Sequence, residues 1–218
     1  MHADAAFWNK LAEFYAAKPV DDPAAFDRKV AITRERIRPG DTVLNVGCGT
    51  GSLSLRLADT GATLHGVDIS SEMVRIARAK VAAAGVDNIQ FHVSRFEDFD
   101  AFGPASVDVL MAYSLVHLVD DIPGTLRQMH DLVRPGGVFI SSTVVLGDGW
   151  MPYRPLLRVM YWLGRAPRVV QVVRRQDLLN AMAAAGFEEV QLLDVGASSE
   201  VAFVVARRPG SESGQPLS

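Results

Sequence analysis

Apolar and polar residues follow one another along this chain in a pattern that predicts strands and helices in turn. From residue 42 onward, short runs rich in Val, Ile, Leu and Phe predict strands, and the stretches between them repeat apolar residues at helical spacing. Such alternation is typical of a parallel sheet with helices on both faces, because right-handed crossovers return each strand to the same direction. The predicted strands are 42–46, 62–67, 89–93, 107–112 and 137–144, with helices at 51–59, 71–84 and 122–133.

The N-terminal region departs from this alternation. Two helices are predicted before the first strand, over 5–17 and 23–37. The apolar side of the first helix is expected to carry Phe7, Leu11, Phe14 and Tyr15. Residues 1–38 are therefore predicted to cap the sheet.

The C-terminal region departs from it as well. Segment 147–174 contains glycine, prolines and aromatic residues, and its composition favours a lid over the substrate. A helix at 175–185 and two strands at 187–194 and 201–206 follow, and the short turn between the strands predicts an antiparallel hairpin. We predict one domain over 1–206 and, because it is polar and rich in Pro, Gly and Ser, a disordered tail over 207–218.

The stretch DTVLNVGCGTG, residues 41–51, carries the clearest chemical signal. A strand that ends at Gly47, Gly49 and Gly51 and then enters a helix lets a ligand approach the backbone closely. Asp68 ends the next predicted strand, where a carboxylate can accept hydrogen bonds from both hydroxyls of a ribose. The spacing GxGxG differs from the GxGxxG that cradles a dinucleotide pyrophosphate. The pattern therefore predicts a nucleoside ligand without a pyrophosphate.

Composition narrows the function classes. The chain has 218 residues, is 49% hydrophobic and carries a net charge of −3, which suits one globular domain and argues against binding nucleic acid by bulk electrostatics. The single Cys48 excludes an internal disulfide, and the five histidines show no metal-ligand spacing, so no metal is predicted. The start of the chain shows no secretory signal pattern, and we expect a cytoplasmic protein. The sequence leaves the oligomeric state open.

The motifs VLNVGCGTG, GVDIS, VDVLMAYSLVHL and LVRPGGVFI, in this order, resemble the class I S-adenosylmethionine-dependent methyltransferases over about residues 30–206. The resemblance implies a Rossmann-like, doubly wound α/β fold with a mostly parallel seven-stranded sheet and a C-terminal antiparallel hairpin. It also implies S-adenosylmethionine as cofactor and S-adenosylhomocysteine as product.

The same resemblance implies the contacts of the cofactor. Gly47, Cys48 and Gly49 would lie against its methionine part, and Asp68 would hold the ribose hydroxyls. Tyr113 would sit close to the reacting sulfonium. The remaining residues implied to be near the cofactor are Ile69, Met73 and Phe96 around the adenine, and Tyr15 over the methionine end.

Two positions differ from the family pattern. Asn45 stands where the family has an acidic residue; its amide can accept a bond from the cofactor ammonium but brings no countercharge, so weaker cofactor binding is expected. Arg95 stands where the family places an aspartate that accepts from the adenine amino group, and arginine has no acceptor. Recognition of adenine would then depend on backbone carbonyls, on Glu97 or on stacking.

The expected reaction is methyl transfer to a small, largely apolar acceptor whose O, N, S or C nucleophile stays open. The protein mainly has to align nucleophile, methyl and sulfur. If the acceptor is a hydroxyl or phenol, a base is required, and His117, after the fourth strand, is the first candidate. Tyr113 could instead orient the acceptor. A thiolate, amine or carbanion needs neither residue.

Other functions stay open at this stage. A nicotinamide oxidoreductase is disfavoured because it requires GxGxxG. A regulatory protein that binds the cofactor without turnover, or an enzyme that uses the sulfonium charge to steer a rearrangement, fits the same motifs.

Segment 150–176 adds a question about partners. It contains several aromatic residues, six arginines and no acidic residue. It could be a lid whose arginine stems reach water, a peripheral membrane contact that collects a lipid-like acceptor, or a source of arginines that pair with a substrate carboxylate or phosphate.

Overall fold

The computed structural model describes residues 3–149 and 151–210, in which a seven-stranded sheet separates two layers of helices. The sheet order is β3-β2-β1-β4-β5-β7-β6, parallel from β3 to β5, with β7 antiparallel to both of its neighbours. The Rossmann-like fold and the antiparallel C-terminal hairpin expected from the sequence are confirmed. The strands are β1 (Thr42–Val46), β2 (Thr63–Asp68), β3 (Ile89–Val93), β4 (Val107–Tyr113), β5 (Val133–Val144), β6 (Glu188–Leu193) and β7 (Val201–Arg207).

The helices cover both faces of this sheet. One layer packs Val30 of the second helix and Val74 of the fourth against Val43 and Met111, and the other packs Leu126 and Met182 against the opposite face. The helices are α1 (Ala3–Ala17), α2 (Pro23–Arg34), α3 (Ser52–Arg56), α4 (Ser71–Ala83), α5 (Ile122–Leu132), α6 (Tyr153–Trp162) and α7 (Arg175–Ala184). Short 3₁₀ turns lie at Ala58–Thr60, Val116–Leu118 and Leu146–Asp148.

Polar side chains cap the starts of three helices in the described residues: Asp22 before α2, Ser70 before α4 and Asp121 before α5. The Asp22 carboxylate accepts a hydrogen bond from the Ala25 amide at 2.9 Å before α2, which carries Pro23 at its start. The Ser70 hydroxyl oxygen accepts from the Met73 amide at 3.1 Å, so Ser70 is the cap of α4.

The predicted apolar side of α1 is wrong. Phe14 is 61% exposed and Tyr15 47% exposed, whereas Ala12 is fully buried against Met73 of α4. Trp8 and Ala16, one turn to either side of Ala12, pack against the same cluster. The small alanine side chains let α1 approach α4 closely, and this contact rotates the larger rings outward.

Element boundaries also differ: the helix predicted over 23–37 ends at Arg34, and two further differences have a clear structural reason. The predicted helix 51–59 is shorter, because α3 ends at Arg56 and the chain tightens into a 3₁₀ turn before Gly61. Strand β5 begins at Val133, four residues earlier than predicted, because the Pro-Gly-Gly turn lies inside the strand as a bulge between Val133 and Val138. Trp150 and residues 211–218 of the predicted tail lie outside the described residues.

Within residues 3–149 and 151–210, every helix is too short or too polar to cross a bilayer.

The contact beneath Gly51 gives a test of the fold. A Cβ at Gly51 would lie 2.8 Å from the Ala77 Cβ and 2.9 Å from the Phe91 Cζ, and the glycine has a φ of +74°. Gly85 has a similar φ of +65° but open space around it. Gly51→Ala should therefore lower the free energy of unfolding by about 1–3 kcal/mol more than Gly85→Ala, in urea denaturation. Equal losses would show that the close packing of α3, α4 and β3 does not constrain this turn.

Candidate functional site

The carboxyl ends of β1, β2 and β4 meet at one edge of the sheet, and the glycine loop after β1 lies over this edge. The amides of Gly47 and Cys48 both donate to the Val67 carbonyl, at 2.8 and 3.1 Å, which fixes the loop to β2. Gly49 has a φ of +52° and no atom within 4 Å of the place where a Cβ would stand. The loop thus presents bare backbone to an open crevice, where a ligand can approach closely.

Asp68 joins the glycine loop to the start of α4. One carboxylate oxygen accepts from the Gly49 amide and the other from the Ser70 amide, both at 2.9 Å. Each oxygen keeps a second lone pair, which suits the two hydroxyls of a ribose. Burial raises the pKa of the Asp68 carboxyl, and the two amide bonds oppose that rise.

Asn45 carries a buried acceptor without a partner. The side chain is 2% exposed, and its Nδ2 donates to the Ser54 Oγ at 3.1 Å. Its Oδ1 has no hydrogen-bond partner, a state that costs about 1–3 kcal/mol in a folded protein. Because Asn45 stands two residues before Gly47, this oxygen fits the ammonium that the methionine part of S-adenosylmethionine brings. The donor set of the crevice therefore suits that cofactor.

The Cys48 side chain does not face the crevice. It is buried in the core below the loop, and burial raises the pKa of the thiol well above its ordinary value. A protonated, enclosed thiol is a packing group rather than a nucleophile. Only the backbone of Cys48 can contribute to the predicted methionine contact.

The adenine side of the crevice lies between α4 and the loop after β3. Ile69 follows Asp68 and is half-buried, whereas Met73 is 5% exposed and packs under α1. Phe96 is also buried, in the core cluster that α5 and α7 form with the sheet. The Arg95 Nε lies 3.3 Å from a Glu97 carboxylate oxygen. The predicted positions of Ile69, Met73, Phe96 and Arg95 near the adenine stay predictions.

Tyr15, predicted over the methionine end of the cofactor, and Tyr113, predicted near the sulfonium, have partners elsewhere. Tyr15 makes an edge contact with Trp8 on its own helix. The Tyr113 hydroxyl lies 2.8 Å from the Thr33 Oγ1 and donates to the Lys29 carbonyl at 3.3 Å, so it connects β4 to α2. Burial raises the pKa of Tyr113. The phenol therefore stays protonated at physiological pH and is not available as a general base. Its role in orienting an acceptor stays a prediction.

His117 lies in the 3₁₀ turn Val116–Leu118 after β4. Its carbonyl accepts from the Gln171 amide at 2.7 Å, and its ring is 7% exposed with Nδ1 unpartnered. Burial lowers the pKa of His117 to about 4, so the imidazole is neutral at physiological pH. A neutral imidazole can accept a proton, which is the state that a general base requires.

Two polar residues that the sequence did not single out also reach this region. The Asn9 Oδ1 on α1 accepts from the Ser70 hydroxyl at 2.7 Å, which brings α1 to the edge of the ribose site. The half-buried Lys29 on α2 donates to the Ser142 Oγ at 3.0 Å, and burial lowers the pKa of its ammonium. Single polar residues within amphipathic helices give no sequence signal of such contacts.

The segment predicted as a lid is attached beside His117. Arg168 pairs with the Asp120 carboxylate at 2.7 Å and with Asp4 of α1 at 3.4 Å. The Gln171 side chain donates to the carbonyls of Val119 and Asp120, at 3.3 and 3.2 Å. The segment after α6, the loop after β4 and the start of α1 thus converge on one side of the crevice. Closure over a substrate stays a prediction.

Comparison with known proteins identifies the family of this chain. A family described as "Methyltransferase domain" matches residues 37–182. The ubiquinone biosynthesis O-methyltransferase of Aromatoleum aromaticum is 29% identical over 194 residues, which cover 86% of this chain and 79% of that protein. The protein of the same name from Thiobacillus denitrificans is 30% identical over 138 residues, and the match spans 57% of its length.

Solved structures share the fold. A SAM-dependent methyltransferase from Aquifex aeolicus superposes with a TM-score of 0.67 at 19% identity, over 94% of this chain and 98% of that chain. Phosphoethanolamine N-methyltransferase 2 of Haemonchus contortus, in complex with S-adenosylhomocysteine, gives a TM-score of 0.73 at 15% identity, over 94% of this chain and 57% of that chain. Since the family match extends over more than half of the chain and the fold agrees, this protein belongs to the class I S-adenosylmethionine-dependent methyltransferases.

Proposed function

We propose that this methyltransferase transfers the methyl group of S-adenosylmethionine to a hydroxyl oxygen of a small, largely apolar acceptor. The observation that carries the proposal is the neutral, buried His117, which follows β4 and has one ring nitrogen without a partner. Buried polar groups without hydrogen-bond partners are rare. The hydroxyl of a bound acceptor would give the unpartnered ring nitrogen of His117 such a partner. The O-methyltransferase names of the curated relatives support oxygen as the methylated atom.

Methyl transfer to a hydroxyl releases one proton, and a residue beside the acceptor has to take it. S-adenosylmethionine supplies an electrophilic methyl group, and its sulfonium becomes an uncharged thioether when the methyl leaves. The acceptor oxygen forms the new C–O bond with a lone pair, and its O–H bond breaks. We assign the released proton to His117, which becomes an imidazolium. A base with a pKa of about 4 is sufficient because the oxygen becomes strongly acidic as the C–O bond forms.

The cofactor would be held by groups that have unused hydrogen-bonding capacity. The Asp68 carboxylate keeps free lone pairs for the ribose hydroxyls, the Asn45 Oδ1 can accept from the ammonium, and the bare backbone at Gly49 leaves room for the methionine part. Fixing cofactor and acceptor in line can lower the barrier by about 7–11 kcal/mol, so most of the catalysis is positioning.

We also propose that the acceptor is lipid-like and is collected at a membrane surface by α6. The side of α6 away from the protein carries large exposed apolar residues: Trp162 is 88% exposed, Val159 57% and Leu156 44%. The segment carries arginines and no acidic residue, which complements anionic headgroups. The ubiquinone biosynthesis named for the curated relatives supports this acceptor class.

Identification of the methylated atom in the product tests the proposal that the methyl group is transferred to a hydroxyl oxygen. Incubation with S-adenosylmethionine and a set of phenols, catechols and hydroquinols should give products that gain one methyl group on oxygen, detected by mass spectrometry and NMR. A gain on nitrogen, sulfur or carbon alone would overturn the proposal, as would a product of unchanged mass.

Replacement of His117 should separate catalysis from folding. His117→Phe fills the site and removes the unpartnered nitrogen, so the protein should fold and bind S-adenosylhomocysteine as the wild type does. Its kcat with a phenolic acceptor should fall by about 10²–10⁴-fold because the proton acceptor is lost. A kcat within about threefold of the wild-type value would remove His117 from the mechanism.

The same variant should change the dependence of stability on pH. The folded pKa of His117 is about 4, below the ordinary 6.5, so the unfolded chain binds the additional proton between these values. This contribution to the free energy of unfolding is present above pH 6.5 and is lost as the pH falls to about 4, by up to about 3 kcal/mol. His117→Phe should lack this loss in urea titrations at several pH values.

The role of Asn45 can be tested by restoring a charge. Asn45→Asp should tighten S-adenosylmethionine binding by about 3–10-fold in calorimetry at pH 8, because its ammonium gains a charge-assisted hydrogen bond. The ligand-free protein should lose about 1–3 kcal/mol of stability, because the new carboxylate is buried without a cationic partner. Asn45→Ala is the control for loss of the amide. Unchanged or weaker affinity in Asn45→Asp would place the ammonium elsewhere.

Membrane contact predicts lipid-dependent sedimentation. The protein should sediment with phosphatidylglycerol vesicles at low salt and much less with phosphatidylcholine vesicles. Trp162→Ser should reduce this binding at least fivefold, whereas Leu192→Ser, which changes an exposed leucine on β6, should not. Equal binding by Trp162→Ser and wild type, or no binding at all, would exclude α6 as a membrane contact.

A further inference from the structure

We infer that a cavity between α6 and residues 167–172 binds an oxyanion, a phosphate or carboxylate group that the methyl acceptor carries. This arginine cavity has a volume of about 330 Å³. Its arginines are Arg154, Arg158 and Arg168. The inference rests on the proposed function, and it deepens that function by giving the acceptor an acidic group at a distance from its hydroxyl.

The charge of the lining is unbalanced. Three arginines line the cavity together with Tyr161 and Gln171, and no carboxylate is among the lining residues. Arg168 is neutralised from outside by Asp120 and Asp4. The cavity therefore keeps two cationic side chains whose charge its own walls do not balance.

Those two side chains repel each other in the ligand-free protein. Arg154 and Arg158 stand four residues apart on α6, where side chains are neighbours and like charges are destabilising. Among the residues that the structure describes, neither arginine has a carboxylate within ion-pair distance. An anion between the guanidinium groups would replace this repulsion with charge-assisted hydrogen bonds, for which the planar guanidinium is well suited.

The rest of the lining is apolar. Leu157, Pro167, Val170 and Val172 supply these walls. The volume is at the lower end of the range for small-molecule sites and exceeds what an isolated phosphate fills. An acidic group attached to an apolar body satisfies both parts of the lining, whereas a free inorganic ion satisfies the arginines alone.

One residue connects the arginine cavity to the candidate base. Gln171 lines the cavity, and its backbone amide donates a hydrogen bond to the backbone carbonyl of His117 at 2.7 Å. The cavity thus adjoins the turn that carries His117, and we infer that an acceptor with its acid at Arg154 and Arg158 has its hydroxyl on the side of this turn. The exposed apolar residues of α6, Leu156, Val159 and Trp162, do not line the cavity.

Binding of simple oxyanions tests the inference without methyl transfer. Inorganic phosphate and sodium benzoate are titrated separately by calorimetry into protein saturated with S-adenosylhomocysteine, at constant ionic strength set with chloride. At least one should bind saturably at one site per chain. Arg154→Gln/Arg158→Gln should weaken that binding at least tenfold, as expected for the loss of charge-assisted bonds. Binding of phosphate alone or of benzoate alone would identify the class of acid.

Arg165→Gln is the control for a change of net charge, because it removes one positive charge from an exposed arginine just after α6 that does not line the cavity. It should change the affinity less than twofold. Saturable binding by neither anion, or an equal loss in Arg165→Gln, would overturn the inference. Affinity for S-adenosylhomocysteine, measured first on all variants, reports on the cofactor site alone, so a failure of the methyltransferase site is distinguishable from a failure of the arginine cavity.

Discussion

The hydrogen bonds of the Asp68 carboxylate are the constraint on which the site depends. By accepting from the amides of Gly49 and Ser70, this one side chain fixes the glycine loop after β1 to the start of α4. Ser70 in turn caps α4 and contacts Asn9 of α1. A carboxylate that is half-buried needs such partners, and the same need makes it suitable for ribose hydroxyls when a cofactor is present. The glycine loop after β1, the start of α4 and helix α1 are thus all connected, directly or through Ser70, to the carboxylate of Asp68.

Two of the three buried side-chain atoms that lack a partner in the described residues lie near the candidate site, and the third is the Arg175 Nε at the start of α7. The Asn45 Oδ1 and the His117 Nδ1 are both buried without a partner, and they lie near the ends of two neighbouring strands, β1 and β4. The arginine cavity adds a case of another kind: Arg154 and Arg158, both exposed, stand four residues apart on α6, and no carboxylate lines the cavity. Each of these arrangements is unfavourable in the empty protein. A cofactor with an ammonium group and an acceptor with a hydroxyl and an acid would satisfy all three.

Helix α6 has its polar and apolar sides in an unusual arrangement. Its arginines line a cavity together with Leu157 and Tyr161, its other large apolar side chains Leu156, Val159 and Trp162 are exposed, and none of its residues is fully buried. Packing therefore contributes little to holding this helix, and ion pairs and backbone bonds around Arg168 and Gln171 attach the segment that follows it. An element held in this way can adapt to an acceptor at little cost to the core.

The sequence by itself determined the fold class and the cofactor class. The period of the apolar residues and the spacing of Gly47, Gly49 and Asp68 are local features, and the strand and helix conformations that they specify need few distant contacts. The tertiary structure decided which side of α1 is buried, since Ala12 must pack closely on α4. It also decided that Cys48 points into the core, that Tyr113 bonds to α2 and that His117 is neutral. Burial and hydrogen-bond partners depend on residues far apart in the chain, and no local pattern records them.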